Sequence, residues 1–317
     1  MNTAPARPPS HRRPPTCSAC LLGLLLASPG CKPPPARVPA LCSDRISREE
    51  RDAQQLPSQT WLTLASPSID LTSMQRSGPL TTACGEVGPS AFSPTFECPG
   101  LELEPAPSPP TSVALTDLVQ DAAGQGRSLL WAPTDPLPSG EFEGSAAVAV
   151  WTDDRLEIHA TGAIRGYRDN ARLQLHAIGS TPVLILESDR CQGAACTPMV
   201  QIVPILGRRF AELPVWDAAR GCAGRAQFPM RLEEQRRLNR STTRRFTLKR
   251  SLELTSAGIA IHERLEMRDE SRLDDAPSST FRTVEARRDV SLDGDALYVE
   301  QANLWERAIS DDGDVSR

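Results

Sequence analysis

Residues 246–267 read FTLKRSLELTSAGIAIHERLEM and carry the clearest structural signal in the sequence. Apolar residues alternate with polar or charged ones on both sides of the small segment Ser256-Ala257-Gly258. A period of two places apolar side chains on one face of a β-strand and polar side chains on the other. The stretch therefore predicts a β-hairpin whose apolar positions are Phe246, Leu248, Leu252 and Leu254 in one arm and Ile259, Ile261, Leu265 and Met267 in the other.

Similar patterns predict a second and a third hairpin. Residues 281–290 and 297–305 flank Asp293-Gly294, a dipeptide that favours tight turns between strands. Residues 156–164 and 173–177 flank Asp169-Asn170 and alternate in the same way.

Two apolar runs predict further strands, one over 183–186 and one over 199–206, with Pro204 at an edge or bulge. Alternating strands joined by short turns are typical of antiparallel sheets with one solvated face. We therefore predict a mainly β fold, either an antiparallel sandwich or a curved open sheet, over residues 140–310.

The segment from residue 45 to residue 139 has a different character, with many of the chain's 29 prolines and few regular patterns. We expect an irregular, proline-rich part with one or two short helices. One helix is predicted over 43–55, where Ser47 and Glu50 have the spacing of a capping box, and another over 113–123. Short strand-like pieces are expected at 61–64 and 69–74, an irregular proline-rich stretch at 133–138, and an acidic tail at 311–317.

Composition excludes some classes of protein. The 317 residues contain no apolar run of the roughly 18–20 residues that a membrane-spanning helix needs, so a multi-span membrane protein is excluded. The formal net charge of −5 argues against a nucleic-acid partner. Neither a Gly-x-Ser-x-Gly elbow nor a phosphate-binding glycine loop is present, and the sequence indicates no cofactor and no catalytic residue.

The first thirty residues have the form of a secretory signal. Three arginines and no acidic residue precede the apolar stretch 21–27, which is too short for a stable membrane span. The stretch ends at Ser28-Pro29-Gly30-Cys31, which resembles the lipobox of bacterial lipoproteins. The resemblance implies a signal peptide at 1–30, a lipid on Cys31, and a proline-rich tether over 31–44 that follows the membrane anchor. Cleavage at another position by ordinary signal peptidase is the alternative, and it would give a secreted protein.

The nine cysteines agree with lipidation of Cys31. Removal of the signal peptide discards Cys17 and Cys20, and a lipid occupies Cys31, which leaves six thiols in a compartment where thiols pair. The six are Cys42, Cys84, Cys98, Cys191, Cys196 and Cys222. Of the 15 possible pairings we predict Cys191–Cys196, Cys84–Cys98 and Cys42–Cys222.

Two histidines and one basic stretch are the remaining candidates for chemistry. If Asp169-Asn170 closes a hairpin, His159 and His176 are near-diagonal neighbours that could share a metal ion, although exposed histidines on a sheet face are far commoner. Residues 231–250 hold eight basic side chains, which could attract an anionic partner. We favour a solvated strand face whose arginines pair with acidic residues such as Glu263, Glu266 and Asp269.

These patterns lead to two hypotheses about function. The first is a lipid-anchored, exported protein of the bacterial cell envelope with a non-enzymatic binding or structural role. Its partners would be the membrane, through the N-terminal lipid, and another envelope component, for which an exposed strand edge would be favourable. The second is a secreted hydrolase whose site is built from His159, His176 and nearby carboxylates of the β domain.

Overall fold

The computed structural model describes residues 39–76, 78–87, 118–124, 126–217, 221–255, 258–271, 279–294, 296–300 and 303–310. The predicted signal peptide, the lipidation site Cys31, Cys98 and the acidic tail lie outside these residues. Up to residue 210 the elements are β1 (Cys42–Arg45), α1 (Arg48–Ala53), α2 (Ser58–Ala65), β2 (Ile69–Asp70), β3 (Gln75–Arg76), β4 (Thr81–Thr82), β5 (Gly85–Glu86), β6 (Val119–Ala122), β7 (Arg127–Pro136), β8 (Phe142–Trp151), β9 (Arg155–Gly166), β10 (Asp169–Ile178), β11 (Thr181–Gln192), β12 (Ala195–Leu206) and β13 (Arg209–Phe210). The later elements are β14 (Pro214–Asp217), β15 (Gly221–Arg225), β16 (Gln227–Pro229), β17 (Arg231–Arg237), β18 (Thr242–Thr255), β19 (Gly258–Ser271), β20 (Ser279–Asp293), β21 (Ala296–Val299) and α3 (Leu304–Ser310).

The fold is mainly β, as predicted, and it contains two large curled sheets. The first sheet has the strand order β10-β11-β12-β13-β9-β8-β7-β6, with β1 beside β9 and β16 beside β12. It is nearly closed, like a barrel. The Leu173 backbone N–H of β10 donates to Asp121 Oδ2 of β6 at 2.7 Å, which joins the two terminal strands of the sheet.

The second sheet is a half-barrel with the order β15-β14-β21-β20-β19-β18-β17. It contains the predicted hairpin of β18 and β19, in which Leu252 lies opposite Ile261 and Phe246 opposite Met267. Most pairings are antiparallel, but β13 pairs with β9 and β14 pairs with β21 in parallel.

Strands β7 and β8 and the central residues of β11 and β12 are buried on both faces, which corrects the expectation of one solvated face for this part of the barrel. Leu184 and Leu186 of β11 point into the barrel, where they pack with Trp131 and Ile164. The alternate residues Val183 and Ile185 pack against the second sheet. Burial on both sides explains why residues 183–186 form a continuous apolar run rather than an alternating one.

Three N-terminal predictions require correction, whereas the Ser47–Glu50 capping box of α1 is confirmed. Residues 61–64 lie in helix α2, because Trp61, Leu64 and Ala65 form a helical face that packs on the outside of the barrel. Residues 119–122 of the predicted helix 113–123 form strand β6, and residues 113–117 lie outside the described ranges. The predicted helix 43–55 is shorter in the structure, because residues 43–45 belong to strand β1 and helix α1 begins at Arg48.

Prolines 133 and 136 lie within strand β7 rather than in an irregular stretch. The register of β7 against β8 shifts between Pro133 and Asp135, and a bulge of this kind tolerates a residue without an N–H group. Gly144 of β8 faces the bulge, where a Cβ atom would lie 1.8 Å from the Ala132 carbonyl oxygen. The sheet therefore accommodates Pro133 through a bulge and a glycine, whereas Pro136 is the last residue of β7.

Two more predicted elements differ from the structure. Residues 297–305 do not form one strand, because β21 ends at Val299 and α3 begins at Leu304. Residues 156–164 and 173–177 do form strands, β9 and β10, but the two do not pair with each other as a hairpin. The edges of β9 are occupied by β8, β1 and β13, and β10 pairs with β11. No helix in the described part of the chain has the length and apolar character needed to cross a bilayer.

Candidate functional site

The structure separates the two histidines that the sequence suggested as neighbours. His159 lies on β9 with its Nε2 atom 3.2 Å from Glu157 Oε2. His176 lies on β10, and its Nε2 atom is 2.9 Å from the Thr255 carbonyl oxygen in the second sheet. Within the described ranges, no group of three or more His, Cys, Asp or Glu side chains is placed to hold a metal ion.

Three of the eight basic residues in the stretch 231–250 pair with the acidic residues of β19 that the sequence suggested. Arg244 pairs with Asp269 at 2.6 Å and Lys249 with Glu266 at 3.4 Å. The expected pair of Arg250 and Glu263 is also present, at 2.8 Å, but both side chains are buried rather than solvated.

Two disulfides are present in the described part of the chain, and a fifth cysteine there is also oxidised. Cys191 pairs with Cys196, as predicted. Cys42 pairs with Cys84, so the predicted pairs Cys84–Cys98 and Cys42–Cys222 are wrong. Cys222 is disulfide-bonded as well.

A small pocket lies at one end of the barrel, where four of its strands begin or end. It has a volume of about 190 Å³ and is lined by the turn before β8, the connection between β9 and β10, and the end of β11. The polar and charged side chains in its wall are Ser139, Tyr167, Arg168, Asp169, Arg190 and Gln192. Pockets that bind drug-sized ligands usually have 300–1,000 Å³, so this pocket suits a small molecule.

Two arginines and a tyrosine determine the chemistry of the pocket. The Arg168 guanidinium lies over the Phe142 ring, 4.4 Å from its centroid, and stays exposed to solvent. The half-buried Arg190 lies beside Tyr167, and its positive charge favours the ionised form of the Tyr167 hydroxyl. Burial raises the pKa of Tyr167 and the negative charge of Glu141 adds to this rise, so Tyr167 remains a neutral phenol.

A buried ionic network supports the pocket from behind. Arg225 Nη1 of β15 donates to Glu141 Oε2 at 2.7 Å, and Gln227 Nε2 donates to Glu141 Oε1 at 2.9 Å. Arg225 Nη2 also donates to Glu212 at 3.2 Å. These bonds hold the turn before β8 against β15 and β16, which fixes one wall of the pocket.

Glu212 binds its proton more firmly than an ordinary glutamate. Burial raises its pKa, and the charges of Arg225 and Arg165 and the bond from the Arg165 backbone N–H only partly oppose the rise. Three buried carboxyl groups, those of Glu141, Glu143 and Glu212, share this region with Arg165 and Arg225, and the negative charge of Glu141 adds to the rise in the pKa of Glu212.

The pocket therefore offers guanidinium donors and a phenol in a wall whose charged side chains are two arginines and one aspartate. Guanidinium groups bind carboxylates and phosphates through charged, bidentate hydrogen bonds. Sequence reasoning missed the pocket because its residues come from three separate turns and strand ends, and no motif connects them. Comparisons of the chain with family models, with curated proteins and with solved structures find no match.

Proposed function

We propose that this chain is an exported, lipid-anchored protein of the bacterial cell envelope with a non-enzymatic binding role. The observation that carries the proposal is the oxidation of its cysteines. Five of the six cysteines that follow Cys31, namely Cys42, Cys84, Cys191, Cys196 and Cys222, are disulfide-bonded. Disulfides persist in oxidising compartments outside the cytosol, which supports export. The lipobox-like segment before Cys31 supports the anchor.

Substitution of Cys31 by Ser tests the anchor. We expect the wild-type chain, expressed in a bacterial host, to incorporate a labelled fatty acid and to sediment with the membrane fraction. Cys31→Ser should lose the label and leave that fraction, because serine lacks the thiol to which the lipid would be attached. Cys20→Ser is the matched control, since the proposed cleavage removes Cys20, and it should behave like the wild type. A wild-type chain without lipid, or with reduced thiols in the cytosol, contradicts the proposal.

The pocket at the barrel end is the proposed binding site, and its ligand is a small molecule with a carboxylate or phosphate group. Arg190 is the central residue, because it is half-buried and lines the pocket together with Tyr167. Arg168 faces solvent beside it and can close on the same anion.

Titration with acetate and with inorganic phosphate tests this site. Loss of one charged hydrogen bond weakens binding by about 1.5–3 kcal/mol, so we expect Arg190→Gln to raise the dissociation constant roughly tenfold to hundredfold. Arg127→Gln is the matched control, because Arg127 is exposed at the start of β7 and does not line the pocket. Calorimetry on both variants checks the prediction. Equal affinities in the two variants, or no binding by the wild type, would refute the site.

A further inference from the structure

Strand β17 is an open edge of the half-barrel. It is the last strand in the sheet order and pairs with β18 on one side, and no described strand pairs with its other side. Open edges present unpaired backbone groups that can pair with another chain. What distinguishes this edge is the order of its charges, Arg-Leu-Glu-Glu-Gln-Arg-Arg over residues 231–237.

The odd-numbered residues of β17 direct their backbone groups toward the open side. The Arg250 N–H donates to the Met230 carbonyl oxygen at 2.8 Å, and the Leu238 N–H donates to the Thr242 carbonyl oxygen at 3.0 Å. The register between these two bonds has no bulge. Hydrogen-bonded pairs alternate along an antiparallel ladder, so residues 232, 234 and 236 bond to β18. The N–H and C=O groups of residues 231, 233, 235 and 237 therefore face outward.

From this geometry and charge order we infer that β17 pairs in antiparallel fashion with β17 of a second copy of this chain, with the two-fold axis at Gln235. Gln235 would lie opposite Gln235 of the other copy. Glu233 would lie opposite Arg237, and Glu234 opposite Arg236, each pair occurring twice because of the symmetry. The two half-barrel sheets would then form one continuous sheet across the interface.

The charge sequence selects this register among those available. Two-fold registers that overlap at least five residues of β17 are centred on Glu233, Glu234 or Gln235. The first two place a glutamate directly opposite itself, and like charges directly opposite each other are destabilising. The register centred on Gln235 places each glutamate opposite an arginine.

The apolar residues at the ends of the strand fit the same register. Leu232 would lie opposite Leu238 of the second copy in a pair without direct hydrogen bonds, where side chains approach most closely. Leu238 is 46% exposed in the single chain, and Leu232 is half-buried. Pairing of two copies would therefore cover an exposed leucine at each end of the interface.

Reversal of charges in the full chain tests the inference by sedimentation equilibrium. We expect a dimer for the wild type and at least a tenfold rise in the dimer dissociation constant for Glu234→Arg and for Arg236→Glu, since each places like charges opposite each other twice. The double variant Glu234→Arg/Arg236→Glu restores the opposition and should dimerise like the wild type. A monomeric wild type, or a double variant no better than the single variants, would overturn the inference.

Cross-linking tests the position of the two-fold axis without reversing any charge. It therefore still tests the inference if the charge-reversal variants do not fold. Hydrogen-bonded antiparallel pairs have Cα atoms about 5.5 Å apart, within the range of a disulfide. We expect Gln235→Cys to form a covalent dimer on mild oxidation. Arg231→Cys is the control, because Arg231 would face Asn239 rather than its own copy. Equal cross-linking of the two variants would contradict the register.

Discussion

Replacement of Glu263 by Gln is expected to lower the free energy of unfolding by about 3–5 kcal/mol, the usual effect of removing one partner from a buried ion pair. Glu263 is 2% exposed and accepts hydrogen bonds through both carboxylate oxygens. Its Oε1 atom accepts from Arg250 Nε at 2.8 Å and from Arg288 Nη1 at 3.3 Å. The neutral amide would remove the negative charge that neutralises the buried guanidinium groups of Arg250 and Arg288, and the burial of those positive charges would then cost more free energy.

The same carboxylate also holds helix α3 in place. Glu263 Oε2 accepts from the Leu304 backbone N–H at 2.8 Å, at the first residue of α3. Leu304 and Ala308 of α3 pack on Phe246 and Leu265 inside the half-barrel. Loss of the bond should therefore expose the α3 amides to hydrogen exchange as well as reduce the stability of the whole chain.

Urea unfolding and hydrogen exchange measure the two effects, with Glu285→Gln as the control. Glu285 lies on the neighbouring strand β20 with a side chain that is 68% exposed and 3.7 Å from Arg264. Exposed ion pairs contribute at most about 1 kcal/mol, so the control should change little. A Glu263→Gln variant as stable as Glu285→Gln would show that the buried network contributes nothing specific.

The local pattern of the sequence was sufficient to predict the hairpin of β18 and β19, because its two arms are adjacent in the chain and alternate without interruption. It was not sufficient for β9 and β10. Their alternation is correct, but the choice of partner depends on β13 and β1, which occupy the edge of β9 and come from distant parts of the sequence. Strand content is thus encoded locally, whereas the closure of a barrel depends on long-range contacts.

The ionic partners were predictable from the sequence for those strands that were themselves predicted correctly. The sequence suggested Glu263, Glu266 and Asp269 as partners of the basic stretch, and Arg250, Lys249 and Arg244 contact them in the structure. The burial of Glu263 was missed, because α3 covers that part of the face and the sequence was expected to continue as a strand there. The pocket with Arg190 and Tyr167 was missed for a similar reason, since its walls come together only when the sheet curls into the nearly closed barrel.

The disulfide between Cys42 and Cys84 is expected to stabilise the chain more than the disulfide between Cys191 and Cys196. Their sequence separations are 42 and 5 residues. A cross-link restricts the unfolded chain more when the loop is longer, which gives about 4 kcal/mol for the first disulfide and about 2 kcal/mol for the second. Removal of each by a double Cys→Ser substitution should reproduce the difference in urea unfolding.

The location of the Cys42–Cys84 disulfide also indicates that it contributes more to stability than the Cys191–Cys196 disulfide. Cys42 and Cys84 contribute to the apolar cluster in which Trp61 and Leu64 of α2 pack on Leu130 of the barrel. Without this disulfide, contacts that include that cluster, the pairing of β1 with β9 and the ion pair of Arg76 with Asp135, at 2.7 Å, still hold the segment over 39–87 to the barrel. The α2 amides should then exchange faster in Cys42→Ser/Cys84→Ser, whereas Cys191→Ser/Cys196→Ser should leave them protected.

Peptide mapping under non-reducing conditions checks that both disulfides are formed in the wild-type chain. We expect one peptide pair joined through Cys42 and Cys84 and a peptide closed on itself through Cys191 and Cys196. Because the Cys191–Cys196 bond closes only the tip of the β11–β12 hairpin, the ten-residue ladder between these strands should keep the hairpin folded without it. Equal losses of stability in the two double variants would mean that loop length does not govern the contribution of these disulfides.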